Sequence, residues 1–197
     1  MRPTAATEAP AEPSDETLMA ALTRDDEAAL DTLMRRWQRP LRAFLHRHLR
    51  NEADALDLAQ ETFVRIHRHR ARYRAGARFS TWMFQIALNL ARDHARKNHR
   101  RRTGSLEDAP PAEVAALASA DPSPAVAARH AEEVAAVRAA LAELPEDLRA
   151  AVLLAEYDHL PHAEIAAVLG TTAKAVESRL HRAREKLRAR LARWLRA

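Results

Sequence analysis

Apolar residues recur at intervals of three and four along most of this sequence, and that spacing restricts its fold more than any other feature. The repeat runs from Leu18 to Leu49, resumes at Ala55, and returns in the C-terminal third. Residues three and four apart share one side of an α-helix, so each repeat predicts a helix with one buried face. The chain has only three glycines and no sustained alternation of apolar and polar residues. The sequence therefore predicts an all-α protein.

Changes in composition divide the chain into four segments. Residues 1–16 are rich in Pro, Ala and Glu, which predicts a disordered tail. Residues 103–128 contain four prolines and no basic residue, which is typical of a linker. We therefore expect two small helical domains, at 17–102 and 129–197, joined by a flexible acidic linker at 103–128.

The basic residues lie in two blocks. Residues 65–102 carry twelve Lys or Arg against one acidic residue, and residues 151–197 carry nine against five. Residues 103–150, between the blocks, carry three against nine. This pattern predicts two surfaces that bind polyanions.

The absence of cysteine excludes disulfides, thiolate metal ligands and cysteine nucleophiles. The N-terminus lacks the apolar stretch of a signal peptide, and no apolar run reaches the ~20 residues that span a bilayer. We therefore expect a cytoplasmic protein with no membrane insertion.

The segment HAEIAAVLGTTAKAVESRLHRAR has the spacing of a helix-turn-helix. Gly170 falls where the first helix must end with a positive φ, and Thr171 or Thr172 then caps the second helix. In this motif the second helix commonly enters the DNA major groove. Its outward face carries side chains suited to bases and phosphates, namely Lys174, Glu177, Ser178, Arg179, Arg182 and Arg184.

The first basic block contains a helix predicted from about Ser80 to Asn98. Its buried stripe is expected to contain Met83, Ile86, Ala87 and Leu90. A second face carries hydrogen-bonding and cationic side chains at i, i+4, i+7 and i+11, namely Gln85, Asn89, Arg92 and Arg96. Trp82 fits either face. Phe84 is expected in the core, and so are Phe79 and Trp82.

The loop before this helix adds aromatic and basic residues, namely Tyr73, Arg74, Arg78 and Phe79. Aromatic rings stack on unpaired bases, and a basic groove follows the phosphate backbone. Lys97 and Arg100 extend that positive charge. The block therefore predicts binding of single-stranded nucleic acid.

With both blocks in view, the chain resembles the bacterial extracytoplasmic-function (ECF) RNA polymerase sigma factors. ALDLAQETFVRIHR resembles the family's polymerase-binding helix, and FSTWMFQIALNLARDHARK resembles its −10 element helix. LAELPEDLRAAVLL and the helix-turn-helix resemble its region 4. In this resemblance residues 17–102 correspond to sigma region 2 and residues 129–197 to sigma region 4. Leu56 departs from the pattern, since the family often has an acidic residue there.

The resemblance implies promoter recognition without catalytic residues, metal or cofactor. Region 2 would bind the clamp helices of core RNA polymerase through Asp57, Gln60, Glu61 and Phe63. It would bind the −10 element through Tyr73, Arg74, Arg78, Trp82, Gln85, Asn89, Arg92, Arg96, Lys97 and Arg100. Region 4 would touch the polymerase flap and read the −35 element through Thr172, Lys174, Glu177, Ser178, Arg179, Arg182 and Arg184. An anti-sigma factor as partner, and a free protein that is monomeric, are also expected.

Two other functions fit parts of the sequence. A stand-alone helix-turn-helix regulator would use the C-terminal block, but such regulators usually dimerise, and no sustained heptad is present. A helical metal-dependent hydrolase would use the ten histidines. However, His46 and His48, like His67 and His69, are two residues apart and point to different faces of a helix.

Overall fold

The computed structural model describes residues 12–102 and 124–194, and these ranges contain helices and no β-strand. The predicted all-α class is confirmed. Most of the disordered tail predicted at 1–16 and most of the predicted linker fall at 1–11 and 103–123, outside the described residues. The end of the predicted tail is instead ordered, since Asp15 and Glu16 begin the first helix and Asp15 pairs with Arg36 at 2.9 Å. The helices are α1 (Asp15–Leu22), α2 (Glu27–Leu49), α3 (Glu52–Arg68), α4 (Phe79–Arg102), α5 (Pro124–Ala142), α6 (Glu146–Val152), α7 (His162–Leu169) and α8 (Ala173–Arg190).

Helices α1 to α4 form an N-terminal bundle whose helix starts are set by side-chain caps. Ser14, Asp26 and Asn51 accept hydrogen bonds from backbone N–H groups in the first turns of α1, α2 and α3. Each cap satisfies one of the N–H groups that a helix start leaves without a partner. A short 3₁₀ turn at Arg70–Arg72 then leads to the loop before α4.

The core of this bundle is built around packed rings. Phe44 and Phe84 meet at 5.0 Å between ring centroids, and Trp37 contacts Phe79 and Phe84 edge-on. Phe79 and Phe84 are fully buried, which confirms their predicted place in the core. Trp82 is only half-buried.

Helices α5 to α8 form a C-terminal bundle. Helix α5 begins at Pro124, inside the segment predicted as linker, because proline is tolerated in the first turn and the following residues are good helix formers. Helix α6 continues into a π-helical turn at Leu153–Tyr157.

The helix-turn-helix is present at α7 and α8. Gly170 adopts φ +63°, and the Thr171 N–H donates to the Ala166 carbonyl at 2.9 Å, which ends α7. The cap on α8 is Thr172, whose hydroxyl accepts from the Ala175 N–H. Val176 and Leu180 are buried, as the motif requires.

The two bundles are packed against each other. Helix α4 lies on α7, and α2 contacts the π-helical turn. Buried apolar residues of both bundles belong to one continuous cluster. The sequence predicts a linker between the bundles and carries no signal for this contact.

Within residues 12–102 and 124–194, no helix has both the length and the apolarity to cross a bilayer.

Candidate nucleic-acid interface

The loop that precedes α4 is closed by Tyr73. Its hydroxyl donates to the Ala77 carbonyl, and Gly76 turns the backbone with φ +87°. The ring of Tyr73 lies 5.3 Å from that of Trp82, centroid to centroid. Burial raises the pKa of the half-buried Tyr73 phenol, and the carboxylates of Glu16 and Asp15 add to that shift. The fold thus brings Tyr73 and Trp82, both in the predicted −10 element site, into one aromatic pair at the start of α4.

Helix α4 presents the predicted polar face to solvent over much of its length. Gln85, Asn89 and Arg96 are exposed, and Arg96 pairs with Asp93 one turn earlier. The other predicted cations of this block that are exposed are Arg74, Arg78, Lys97 and Arg100. On the opposite side Met83, Ala87 and Leu90 are buried as predicted, whereas Ile86 is half-buried.

Two predicted DNA-binding arginines of the N-terminal bundle have carboxylate partners in the C-terminal bundle. Arg78 Nε lies 3.2 Å from Glu164 Oε1, and Arg92 Nε lies 3.2 Å from Glu146 Oε1. The Glu164 carboxylate also accepts from the Thr81 hydroxyl at 3.0 Å. These partners are 54 to 86 residues apart in sequence, so helical periodicity carried no signal for them.

Helix α8 carries the second predicted face. Lys174, Ser178 and Arg182 follow one another at i, i+4 and i+8 and are exposed, as is Glu177. Arg179 and Arg184 instead pair with acidic residues of the same bundle, Asp147 at 3.3 Å and Glu156 at 2.8 Å. The Thr172 hydroxyl is engaged in capping the helix.

The predicted polymerase-binding residues lie on α3. Asp57 and Gln60 are exposed, Glu61 pairs with Arg65 at 2.9 Å, and Phe63 is only 4% exposed. The Phe63 side chain therefore supports this surface from the core.

Two large apolar side chains flank Gln60 on the same face. Leu56 is 43% exposed and Val64 is 47% exposed, at i−4 and i+4 from Gln60. Beside them runs a groove of about 760 Å³ between α2 and α3, lined in part by Leu30 and Met34. Val64 is not among the predicted polymerase-binding residues, although its spacing from Leu56 and Gln60 is a signal in the sequence that identifies it.

His48 lies at the contact between the bundles. It is 5% exposed, stacks on Phe44, and has Nε2 3.7 Å from Glu146 Oε1. Burial lowers its pKa to about 4, and the guanidiniums of Arg149 and Arg92 add to that shift. The 3.7 Å between His48 Nε2 and Glu146 Oε1 is too long for a hydrogen bond, and the Glu146 side chain is 41% exposed.

This burial predicts that His48 makes the fold acid-sensitive. The pKa is about 4 in the fold against 6.5 as the ordinary value, so the unfolded chain binds the proton first as the pH falls. The contribution to stability is complete above pH 6.5 and is lost between pH 6.5 and 4, to a total of about 3 kcal/mol. We expect the free energy of unfolding, measured with urea, to fall by that much more between pH 7 and pH 4 than in His48→Gln.

The native chain has to be compared with His48→Gln because Asp158 also changes the free energy of unfolding in this pH range. Burial raises its pKa to about 7, against a smaller opposing effect of Arg47. Since the folded state then takes up a proton before the unfolded chain does, Asp158 stabilises the fold as the pH falls below 7. The Asp158 effect is common to the native chain and His48→Gln and cancels in their difference. Parallel stability curves for the two proteins would contradict the His48 prediction.

The structure brings together no group of three or more His, Asp or Glu side chains that is arranged to hold a metal ion, as far as residues 12–102 and 124–194 show.

Comparisons with known proteins agree with this architecture. Sigma-70 region 2 matches residues 33–101, and the description "Sigma-70, region 4" matches residues 135–187. The chain is 32% identical over 174 residues to the RNA polymerase sigma-H factor of Pseudomonas aeruginosa, covering 87% of this chain and 90% of that protein. It is 30% identical over 175 residues to the ECF RNA polymerase sigma-E factor of Escherichia coli K12, covering 87% and 91%.

Two solved structures share the fold. CnrH, in complex with the cytosolic domain of CnrY, superposes with a TM-score of 0.68 at 29% identity, over 90% of this chain and 97% of CnrH. The sigma factor RpoE of Bartonella quintana, in complex with the anti-sigma factor NepR, gives a TM-score of 0.67 at 23% identity, over 82% and 96%.

Proposed function

We propose roles for individual residues of this chain. The chain belongs to the ECF group of sigma-70 RNA polymerase sigma factors and therefore serves promoter recognition and transcription initiation. The observation that carries these roles is the solvent-facing line of Gln85, Asn89 and Arg96 on α4, beside the Tyr73–Trp82 ring pair. A face of this kind offers hydrogen bonds to base edges, stacking surface and positive charge at one place.

This face is proposed to bind the −10 element as a single strand. The Tyr73–Trp82 pair and the amides of Gln85 and Asn89 would bind bases after the duplex opens, at an unstacking cost of a few kcal/mol. The cations around them would bind the phosphates, namely Arg74, Arg78, Arg92, Arg96, Lys97 and Arg100.

The exposed line on α8 is proposed to read the −35 element as duplex DNA. Lys174, Ser178 and Arg182 lie on one exposed face of the second helix of the motif, with Glu177 beside them. Arg179 and Arg184, which pair with Asp147 and Glu156, are proposed to exchange those carboxylates for phosphates. Thr172 is proposed to combine its capping role with a contact at the start of the helix.

The surface of α3 is proposed to bind the clamp helices of core polymerase. Leu56 and Val64 supply apolar area that the folded chain leaves uncovered, with Gln60 between them and Asp57 and Glu61 alongside. Exposed apolar residues in such a row are typical of a protein interface.

Further properties follow from the same proposal. The chain would act in the cytoplasm as a polymerase subunit, would touch the polymerase flap through region 4, and would itself catalyse no reaction. Because a solved sigma factor of this fold is bound by an anti-sigma factor, an anti-sigma partner is proposed here as well.

Run-off transcription with core RNA polymerase on a genomic promoter library tests this proposal. We expect the chain to associate with core polymerase and to start transcripts at a defined set of promoters. Little specific binding to duplex DNA is expected before core polymerase is added. Failure to bind core polymerase, together with specific binding of duplex DNA by the chain alone, would instead indicate a stand-alone regulator.

A further inference from the structure

The contact between the bundles covers one flank of the helix that is proposed to bind the −10 element. Helix α7 packs along α4, and the Glu164 carboxylate contacts both Arg78 and Thr81 at the start of α4. About three turns further along from Thr81, the Glu146 carboxylate contacts Arg92. The contact therefore has an acidic residue at each end of the covered flank.

The two acidic residues occupy cations that the proposed function assigns to DNA. A carboxylate 3.2 Å from a guanidinium nitrogen uses the same donor that a phosphate oxygen would use. Glu164 is largely buried, since its side chain is 16% exposed, whereas Arg78 remains 69% exposed. A DNA phosphate can thus replace the carboxylate at the Nε of Arg78 or Arg92 only after Glu164 or Glu146 has moved away.

The two DNA-binding helices also lie too close together in the packed arrangement to bind both promoter elements. Neighbouring packed helices are about 8–10 Å apart, so α4 and α8, which are both packed on α7, lie within roughly 20 Å of each other. The −10 and −35 elements are separated by about 25 base pairs, or roughly 85 Å at ~3.4 Å per pair. One chain cannot hold both elements while α4 and α7 remain in contact.

We propose that the free protein closes on itself, with Glu146 and Glu164 of the C-terminal bundle substituting for DNA phosphates on Arg92 and Arg78. Opening of this contact is then a required step before the −10 face and the −35 helix bind promoter DNA together. The inference rests on the proposed function for the identity of the DNA-binding face. The buried state of His48 belongs to the same contact, because Glu146 and Arg149 of the C-terminal bundle lie against it.

The acidic pairs set the balance between closed and open forms and do not hold the contact alone. Pairs with one partner largely in solvent contribute modestly, while the continuous apolar cluster supplies the rest. The apparent affinity for DNA is reduced by the fraction of molecules that are closed. Removing the two charges should therefore raise DNA affinity by a few-fold.

The first test compares two charge-matched double variants. Glu146→Gln with Glu164→Gln removes both contacts between bundles. Glu133→Gln with Glu143→Gln removes the same charge, but these residues pair with Arg129 and Arg190 inside the C-terminal bundle. Because the chain has no cysteine, Arg39→Cys and Ala189→Cys allow fluorescent labels to be placed on α2 and α8 for energy-transfer measurements.

For the Glu146/Glu164 variant we expect lower energy transfer between the labels and about fivefold tighter binding of an oligothymidine of about 16 nucleotides. The Glu133/Glu143 variant should keep the energy transfer of the native chain and gain less than about twofold in affinity, from its net charge alone. Equal changes in both variants, or no change in energy transfer, would overturn the proposal.

A second test does not depend on those variants folding normally. In Thr81→Cys with Glu164→Cys, a short bismaleimide should cross-link α4 to α7, and the cross-linked protein should lose run-off transcription with core polymerase. The same protein treated with N-ethylmaleimide, which reacts with each thiol singly, should keep it. Full transcription by the cross-linked protein would show that the closed contact does not block initiation, and would overturn the proposal. Absence of transcription by the unmodified native chain would count against the proposed function instead.

Discussion

Replacing Asn89 by alanine is expected to lower promoter opening about tenfold while leaving the affinity for core polymerase unchanged. Asn89 is exposed on α4, so its amide makes no contribution to the core. A side-chain amide that pairs with a base edge is worth about 1–3 kcal/mol, which corresponds to roughly tenfold or more in an equilibrium constant. Opening is measured by permanganate reactivity of unpaired thymines, and core binding by fluorescence anisotropy.

The matched control is Gln38→Ala, which removes an exposed amide from α2 in the same bundle. This variant should open promoters as the native chain does. If Asn89→Ala lost core binding and opening in equal measure, its role would be in folding, and the proposed contact with the −10 element would be wrong.

Tyr73 needs two substitutions, because the structure gives it two roles. Tyr73→Phe keeps the ring beside Trp82 and removes the hydroxyl that donates to the Ala77 carbonyl. Tyr73→Ala removes both. If the ring stacks on a base, only Tyr73→Ala should impair opening strongly, since stacking contributes about 1–3 kcal/mol per base. Similar defects in both variants would indicate that the hydroxyl and the loop geometry matter more than stacking.

Local patterns were sufficient to predict most of the helices. The turn at Gly170 and the buried pair Val176 and Leu180 each depend on residues within one or two turns, so spacing alone identified them. Thr171 and Thr172 were equivalent in sequence, and only the structure shows that Thr172 is the cap.

The contact between the bundles was beyond such patterns. Arg78 and Arg92 have the same chemistry as Arg74 and Arg96, and nothing near them in sequence indicates carboxylate partners more than 50 residues away. The same limit explains His48, whose low pKa is produced by burial between two bundles. Long-range packing decides such features, and periodicity describes only one helix at a time.

The second large effect is expected on α3, where Val64→Asp should weaken binding of core polymerase by about thirtyfold. Val64 is 47% exposed and Leu56 is 43% exposed, so aspartate at either position is tolerated by the fold. In a complex the same side chains would be buried at the centre of the interface, where loss of an apolar anchor costs about 2 kcal/mol or more. A charged group left unpaired there adds a desolvation cost.

Ala20→Asp is the matched control, since it introduces the same charge at an exposed position on α1. It should bind core polymerase as the native chain does, with circular dichroism showing intact helices in both variants. The step at which transcription is lost would also distinguish the polymerase-binding face on α3 from the DNA-binding face on α4. A weakened Val64→Asp protein should recover transcription when core polymerase is in excess, whereas Asn89→Ala should not, because its defect follows binding. Unchanged core affinity in a folded Val64→Asp protein would move the polymerase contact away from α3.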